Sequence, residues 1–454
     1  MIENIGLLAG LGLLIWFALR GVNILFATLV CSAVVALSNG LPLAESLSSQ
    51  YASSPLGAFT FAGKFFLLFA AGAMFGRVMS VSNGAASIAA AMTRALGEHR
   101  ALWTIVLASA LLTYGGVVVF VVIFTMYPLG LRLSEQANIP KRLLCGGIAL
   151  GAGTFTMTAL PGSPSIHNVI AASALGTDLY AGAALGLIAA GIMFGLGMWY
   201  LESQRKKAAS NNENFVANSK DQIDVIADSD MPPLWRSLSP LLLVLLVILL
   251  PRLAVMAVDD ASQLPAWLQF AKAQAIVWPS FALLLGAILN TVLLPKNLPE
   301  PMKVYGAGVD DSIMPLLNTA AVIGFGAVVT STSGFAQFIS WFSNTEMPIL
   351  LSLFSSVSVV SGITGSASGG LQIFMSTLAD FYLNAGVPPE VLHRIAAVAS
   401  GGIDSLPHCG AVIAMLTIMG LTHKEAYRDI AVVTVVIPMF SALCLVAIAS
   451  FWYL

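Results

Sequence analysis

Long apolar runs dominate the chain, at about 3 to 19, 22 to 38, 57 to 79, 102 to 130, 143 to 175, 179 to 201, 236 to 258, 275 to 295, 312 to 332, 349 to 383, 395 to 421 and 430 to 453. A helix of about 20 apolar residues spans the ~30 Å hydrocarbon layer of a bilayer. Backbone polar groups in that layer are satisfied only within helices or closed barrels. Charged residues make up 9% of the chain, against about 25% in soluble domains. These features exclude a water-soluble globule and predict an all-α polytopic membrane protein. The first run, Ile5 to Leu19, follows no basic region or small-residue cleavage site and reads as a retained span.

The remaining composition narrows the function. With 20 Lys+Arg, 22 Asp+Glu and no basic run longer than Arg205, Lys206 and Lys207, nucleic acid is not an expected partner. Cys31, Cys145, Cys409 and Cys444 lie far apart in apolar segments, without metal-type spacing, and read as packed thiols. No metal-spaced His/Glu set or G-x-S-x-G elbow is found. No metal, cofactor or enzymatic activity is expected.

If all twelve runs crossed once, the 20 Lys+Arg would divide 12 to 8 between the two sides, almost without bias. The runs 102 to 130 and 349 to 383 differ from the others in carrying a Gly-rich break. One holds Thr113-Tyr114-Gly115-Gly116, the other Thr364-Gly365-Ser366-Ala367-Ser368-Gly369-Gly370. Arms of about 13 residues rise ~20 Å, enough to pass the middle of the membrane and not to cross it. Read as two re-entrant hairpins, they leave ten full spans. Only Lys64, Arg252, Lys272 and Arg394 then fall on the outer side, a 16 to 4 split that puts both termini outside.

The most hydrophilic stretch, Glu202 to Arg236, holds 11 of the 42 charged residues and reads as a solvated cytoplasmic linker, placed at 202–235. It separates halves 1–201 and 236–454. GRVMSVSNGAASI at Gly76 matches GAVVTSTSGFAQFI at Gly326, and TALPGSPS at Thr158 matches DSLPHCGA at Asp404, at offsets of 250 and 246 residues. Arg142 with Arg394 and Gly116 with Gly370 keep similar spacing. The expected architecture is two inverted repeats, each with five transmembrane helices and a re-entrant hairpin, the pattern of secondary transporters.

After each hairpin comes a span broken at Leu-Pro, as Leu160-Pro161-Gly162-Ser163-Pro164-Ser165-Ile166-His167-Asn168 and Ser405-Leu406-Pro407-His408-Cys409-Gly410. Proline opens the helix and frees backbone groups, which in hydrocarbon must be buried in protein or line a wet cavity. Half-helix N-termini offer N–H donors and positive partial charge to an anion. The candidate substrate-binding set is Thr113, Gly115, Gly162, Ser163, Ser165, Asn168, Thr364, Gly365, Ser366, Ser368 and Ser405. No Lys or Arg lies at the breaks in sequence, which favours a small, singly charged organic anion. Ionisable residues within a membrane are functional candidates, so Asp404, His408 and His167 are the candidates for proton coupling. Asp404 and His408 are four apart, one turn if the helix persists.

At these residues the chain resembles the gluconate:proton symporter (GntP) family of bacterial permeases. The resemblance rests on NILFATLVCSAVVALSNGLPL, the ALPGSPSIHN break, the GSASGG tip and the GIDSLPHCGAV break. It implies a bacterial inner-membrane proton symporter for gluconate or related hydroxy acids, with an elevator-type mechanism and a homodimeric scaffold. Within the family the chain is similar to the branch associated with short hydroxy acids such as 3-hydroxybutyrate. Sodium coupling, a passive channel and a membrane-embedded enzyme are the competing readings.

Overall fold

The computed structural model describes the chain apart from residues 1, 21, 98–99, 118, 218–220, 222–230, 257–264, 345–346, 408 and 454. His408, one of the proton-coupling candidates, therefore lies outside the described residues. All regular structure among the described residues is helical.

Five helical stretches among these residues are long and apolar enough to cross a membrane unaided: Leu43–Val81, Ala183–Ser210, Leu234–Pro251, Pro301–Thr330 and His423–Trp452. The pair Pro389–Ser405 and Gly410–Met419, bent by 53°, makes a sixth if it counts as one span. These are fewer than the ten full spans read from hydropathy, because only continuous helices are long enough here and several spans are interrupted or short. The apolar run at 143 to 175 is cut first at Thr154 and again around Pro161 and Pro164, into Lys141–Gly153, Phe155–Thr158 and Ile166–Leu175. Ile24–Ser38, Ala101–Tyr114, Val277–Leu293 and Ile349–Thr364 are apolar but end early. Hydropathy sums over such interruptions, whereas the backbone hydrogen-bond ladder does not.

The helix order runs in two parallel series. Ala58–Val81, Gly84–Leu96, Ala101–Tyr114, Val119–Gln136, Lys141–Gly153, Ile166–Leu175 and Ala183–Ser210 form the first. Pro301–Thr330, Ser333–Asn344, Ile349–Thr364, Ala367–Thr377, Pro389–Ser400, Gly410–Met419 and the helical stretch His423–Trp452 form the second. The two series interlock. Ala58–Val81 packs along Pro301–Thr330, and Ala183–Ser210 packs on Ile437–Trp452. Ile166–Leu175 lies against Ala367–Thr377, while Gly410–Met419 lies against Val119–Gln136. Each broken span thus reaches the second arm of the other series' helical hairpin.

The outer surface carries exposed Trp16, Phe59, Leu187, Trp199, Leu246 and Phe451, which suits a lipid environment. Cys31, Cys145 and Cys409 are buried, and none of the four cysteines forms a disulfide. At one end of the bundle, Lys141 Nζ meets Asp221 at 2.9 Å, with Tyr127 donating to the same carboxylate. Arg142 bridges Glu213 at 2.7 Å and Asp429 at 2.5 Å, and Tyr200 also donates to Asp429. The Arg142 hydrogen bond holds the Glu213 carboxyl below its ordinary range.

Candidate functional site

At the first break the chain leaves helical geometry after Phe155–Thr158 and resumes at Ile166, where Ser165 is the N-cap and accepts from Asn168 N at 3.4 Å. Gly162 adopts φ +79° and donates to Leu179 O at 2.8 Å beneath the Tyr180 ring. The carbonyls freed at the break are collected by two side chains. Asn168 Nδ2 donates to Leu160 O and Ser163 O, each at 3.1 Å. Arg394, from the other series, donates to Ala159 O at 3.0 Å, Ala181 O at 2.8 Å and Asn168 Oδ1 at 2.9 Å. His393 joins this cluster through Thr177 Oγ1 at 2.8 Å and Asn168 Oδ1 at 3.4 Å. This corrects one sequence expectation, since a cation does serve the first break; Arg394 itself is fully buried. Packing brings it there from 226 positions away.

The second hairpin turns at Gly365, left-handed at φ +62°, and Ser366 caps Ala367–Thr377 by accepting from Gly369 N at 3.2 Å. Ser366 and Ser368 hydroxyls lie 3.5 Å apart. Thr364 Oγ1 bonds back to Val360 O and Ser361 O, each at 3.1 Å, as hydroxyls within helices commonly do. In the first hairpin, Ala101–Tyr114 ends at Gly115, and Tyr114 donates to Pro161 O at 3.0 Å, tying the turn to the break.

At the second break, 403–405 form a single tight turn and Leu406 is extended (φ −60°, ψ 164°) ahead of Pro407. Helical geometry is therefore interrupted at Leu406, directly after Asp404 and Ser405. Asp404 is 7% exposed and accepts from Ser405 Oγ at 3.2 Å. Ala367, at the start of the hairpin's second arm, lines the same cavity as Asp404. Tyr427 donates to Ser405 O at 3.1 Å, and His423 Nε2 lies 2.9 Å from Pro407 O.

These elements meet around a cavity of ≈ 460 Å³. Of the sequence candidates, Thr113, Ser165, His167, Thr364, Gly365, Ser366, Ser368 and Asp404 line it. Gly115, Gly162, Ser163, Asn168 and Ser405 do not: Gly115 faces Leu241 and Gly116 takes its place on the wall, while Asn168 and Ser405 hold the breaks together. Sequence reasoning passed over Asn318 and Thr319 on Pro301–Thr330, which also line the cavity. Their signal was a proline, Pro315, followed by a polar pair inside an apolar span. Four buried polar atoms on the wall have no partner among the described residues: Thr113 Oγ1, His167 Nδ1 and Nε2, and Asn318 Oδ1. Buried polar atoms are rarely left so. Leu14, Leu68, Phe69 and Leu283 contribute apolar lining. No Lys or Arg lies on the described wall.

A central cavity walled by helix breaks and hairpin turns, within an apolar bundle of several membrane-length helices, defines a multi-pass membrane transporter. The chain belongs to the family described as GntP family permease, which residues 2–451 match. It is 39% identical over 456 residues, covering 96% of each chain, to YxjC of Bacillus subtilis, named an uncharacterized transporter. It is 24% identical to the high-affinity gluconate transporter of Escherichia coli, covering 89% of this chain and 88% of that one. It is 25% identical to a gluconate permease of Pseudomonas aeruginosa, at 79% and 77% coverage. Its fold is similar to that of the Alcanivorax borkumensis YdaH transporter, described as having an unusual topology: TM-score 0.58, 15% identity, 98% and 99% of the chains covered. The family membership makes this protein a permease and not an enzyme.

Proposed function

We propose that the protein takes up a small hydroxycarboxylate together with protons across the bacterial inner membrane. The substrate is gluconate or a related acid such as glycerate or 3-hydroxybutyrate. The observation that carries this reading is the single cavity in which the second hairpin tip, the first hairpin turn and both breaks meet, with unpartnered Thr113, His167 and Asn318 atoms on its wall. The names of the Escherichia coli and Pseudomonas aeruginosa relatives support the substrate class. The carboxylate takes the N–H groups at the start of Ile166–Leu175 and Ala367–Thr377, and its hydroxyl takes Thr113 or His167. Asp404 shares the cavity with Ala367, the first residue of Ala367–Thr377, and when ionised it competes for the same positive end. A second negative charge beside it is opposed by repulsion in a poorly solvated space. A proton on Asp404 removes that repulsion, so anion and proton load together. His167, and His408 by its place in the second break, are the further proton-coupling candidates.

In this reading the two helix series are inverted repeats of five spans and a re-entrant hairpin each, in halves 1–201 and 236–454, joined by the 202–235 linker. Both hairpins and both broken spans move as one body against the remaining helices in an elevator-type cycle, with a homodimeric scaffold and both termini outside. The test is uptake into proteoliposomes under an imposed inward proton gradient, with gluconate, glycerate and 3-hydroxybutyrate, with and without sodium. Proton-driven accumulation of one of them is expected. Accumulation only with sodium would replace the coupling ion, and downhill equilibration alone would make the protein a passive pathway.

A further inference from the structure

The cavity wall has two contributors. The hairpin turns and helix breaks supply most of its polar side chains, among them Thr113, Ser165, His167, Thr364, Ser366 and Ser368. The remainder comes from the continuous helices Ile2–Leu19, Ile24–Ser38, Ala58–Val81, Val277–Leu293 and Pro301–Thr330, the last of which packs on both Ile24–Ser38 and Ala58–Val81. Their share is apolar apart from Asn23, Asn318 and Thr319. Two of these three are taken up by nearby backbone. Asn23 Oδ1 accepts from Leu25 N at 2.9 Å and Phe26 N at 3.2 Å, and Thr319 Oγ1 donates to Pro315 O at 2.9 Å. Asn318 Oδ1 is buried and has no partner among the described residues. Val322, one turn further along, lies against the second hairpin's arm, where a Cβ on Gly369 would stand 3.2 Å from Val322 Cγ1. Four residues are a rise of about 6 Å, so Asn318 meets the cavity one turn from that contact.

We infer that Asn318 determines specificity by accepting a hydrogen bond from a substrate hydroxyl. The inference deepens the hydroxycarboxylate reading above and rests on it. A buried amide oxygen calls for a donor, and a carboxylate has none to give. A hydroxyl has one O–H and two lone pairs, so a single hydroxyl donates to Asn318 while accepting from Thr113 or His167. It thereby bridges the side of the cavity built by hairpins and breaks and the side built by continuous helices. The carboxylate stays with the N–H groups at the start of Ile166–Leu175 and Ala367–Thr377. The surroundings sharpen the choice, because Leu68, Phe69, Met314 and Val322 on the same side offer no other partner. An analogue lacking the hydroxyl leaves the buried amide unpaired, the condition under which discrimination by one hydroxyl is large. Such an acid is excluded by what it fails to offer and not by its size.

The experiment compares two acids that differ by one oxygen. In proteoliposomes, unlabelled 3-hydroxybutyrate and butyrate compete with counterflow of labelled gluconate, glycerate or 3-hydroxybutyrate, whichever the protein carries. In the wild type the hydroxylated acid is expected to compete at least about tenfold better. In Asn318→Leu that preference is expected to fall to about threefold or less, through a loss for 3-hydroxybutyrate with butyrate unchanged or tighter. Asn318→Ala, which removes the amide and adds nothing, is expected to give the same collapse. A second measurement is independent of turnover: the rise in unfolding temperature of the purified protein is expected to be larger with 3-hydroxybutyrate than with butyrate in the wild type, and equal for the two in Asn318→Leu. Equal weakening of both acids in the variants would make Asn318 a packing residue and overturn the inference, as would a preference that survives both substitutions. A wild type that carries a labelled hydroxy acid yet does not distinguish the two competitors overturns the inference and leaves the hydroxycarboxylate reading standing. Carriage of none of the three labelled acids overturns that reading, and the inference with it.

Discussion

Asp404 carries the sharpest chemical demand of any single residue in the site, because its carboxylate shares a cavity with the groups proposed to receive an anion. Its side-chain hydrogen bond comes from Ser405 Oγ, so the side chain is positioned by the second break. Asp404→Asn keeps size and hydrogen-bonding shape while removing the exchangeable proton. The expected outcome is loss of accumulation against a gradient with counterflow exchange of labelled substrate retained within a few-fold, as read by parallel uptake and exchange assays. Normal accumulation in this variant would move the coupling to His167 or His408. His167 differs from Asp404 in having neither ring nitrogen partnered while only 1% exposed. A buried imidazole in that state is an exception among buried polar groups, which are almost always partnered.

Among the elements, the second hairpin shows most plainly what the sequence makes legible. Glycine and proline act through the backbone at their own positions, so the tip at Gly365, the breaks at Pro161 and Pro407 and the caps at Ser165 and Ser366 are readable from residue type and spacing. Arg394 and Asn318 are not, because their roles arise from packing between helices far apart in the chain. The charge count places Arg394 on the outer side and is silent on its burial, since a count of loops cannot see a side chain turned inward. Ser163 and Gly162 sit in the break motif yet stay off the wall, because the motif marks where the helix opens and not which atoms face the opening. Gly370 tests the hairpin directly: a Cβ there would approach Ser361 N to 2.7 Å, backbone that cannot give way cheaply. Gly370→Ala is expected to force the two arms apart, lowering stability by about 1–3 kcal/mol and weakening substrate affinity through the displaced Thr364–Ser368 tip. Thermal unfolding of the purified protein and KM measured together would check this. Unchanged values of both would mean that the arms do not need their close approach.

At the scale of the whole molecule, the hydrophilic stretch between the halves is docked at its start rather than free in solvent. Glu213 shares Arg142 with Asp429, so the linker, the first series and the second series meet in one charge cluster. Asp221 is buried against Lys141, with side-chain exposures of 2% and 3%. Such a cluster limits how far the two series can shift before the linker must let go, which matters for any cycle that slides one body past another. The pH dependence of that tether has a definite sign. Glu213 titrates below its ordinary range because Arg142 favours its ionised form, so its contribution is complete above the unfolded value near 4.3 and is lost as pH falls through the lower folded value. Its side chain is 40% exposed, and solvent screening keeps the contribution small. A spin label at Asn211→Cys, two residues before Glu213, is expected to show constant restricted motion from pH 8 to 5 and increasing mobility only below about pH 4. In a Glu213→Gln background the label is expected to be mobile throughout that range. A mobility change centred near pH 6 would assign the tether to a histidine instead, and a label equally mobile in both backgrounds at pH 7 would show that Arg142 does not hold the linker.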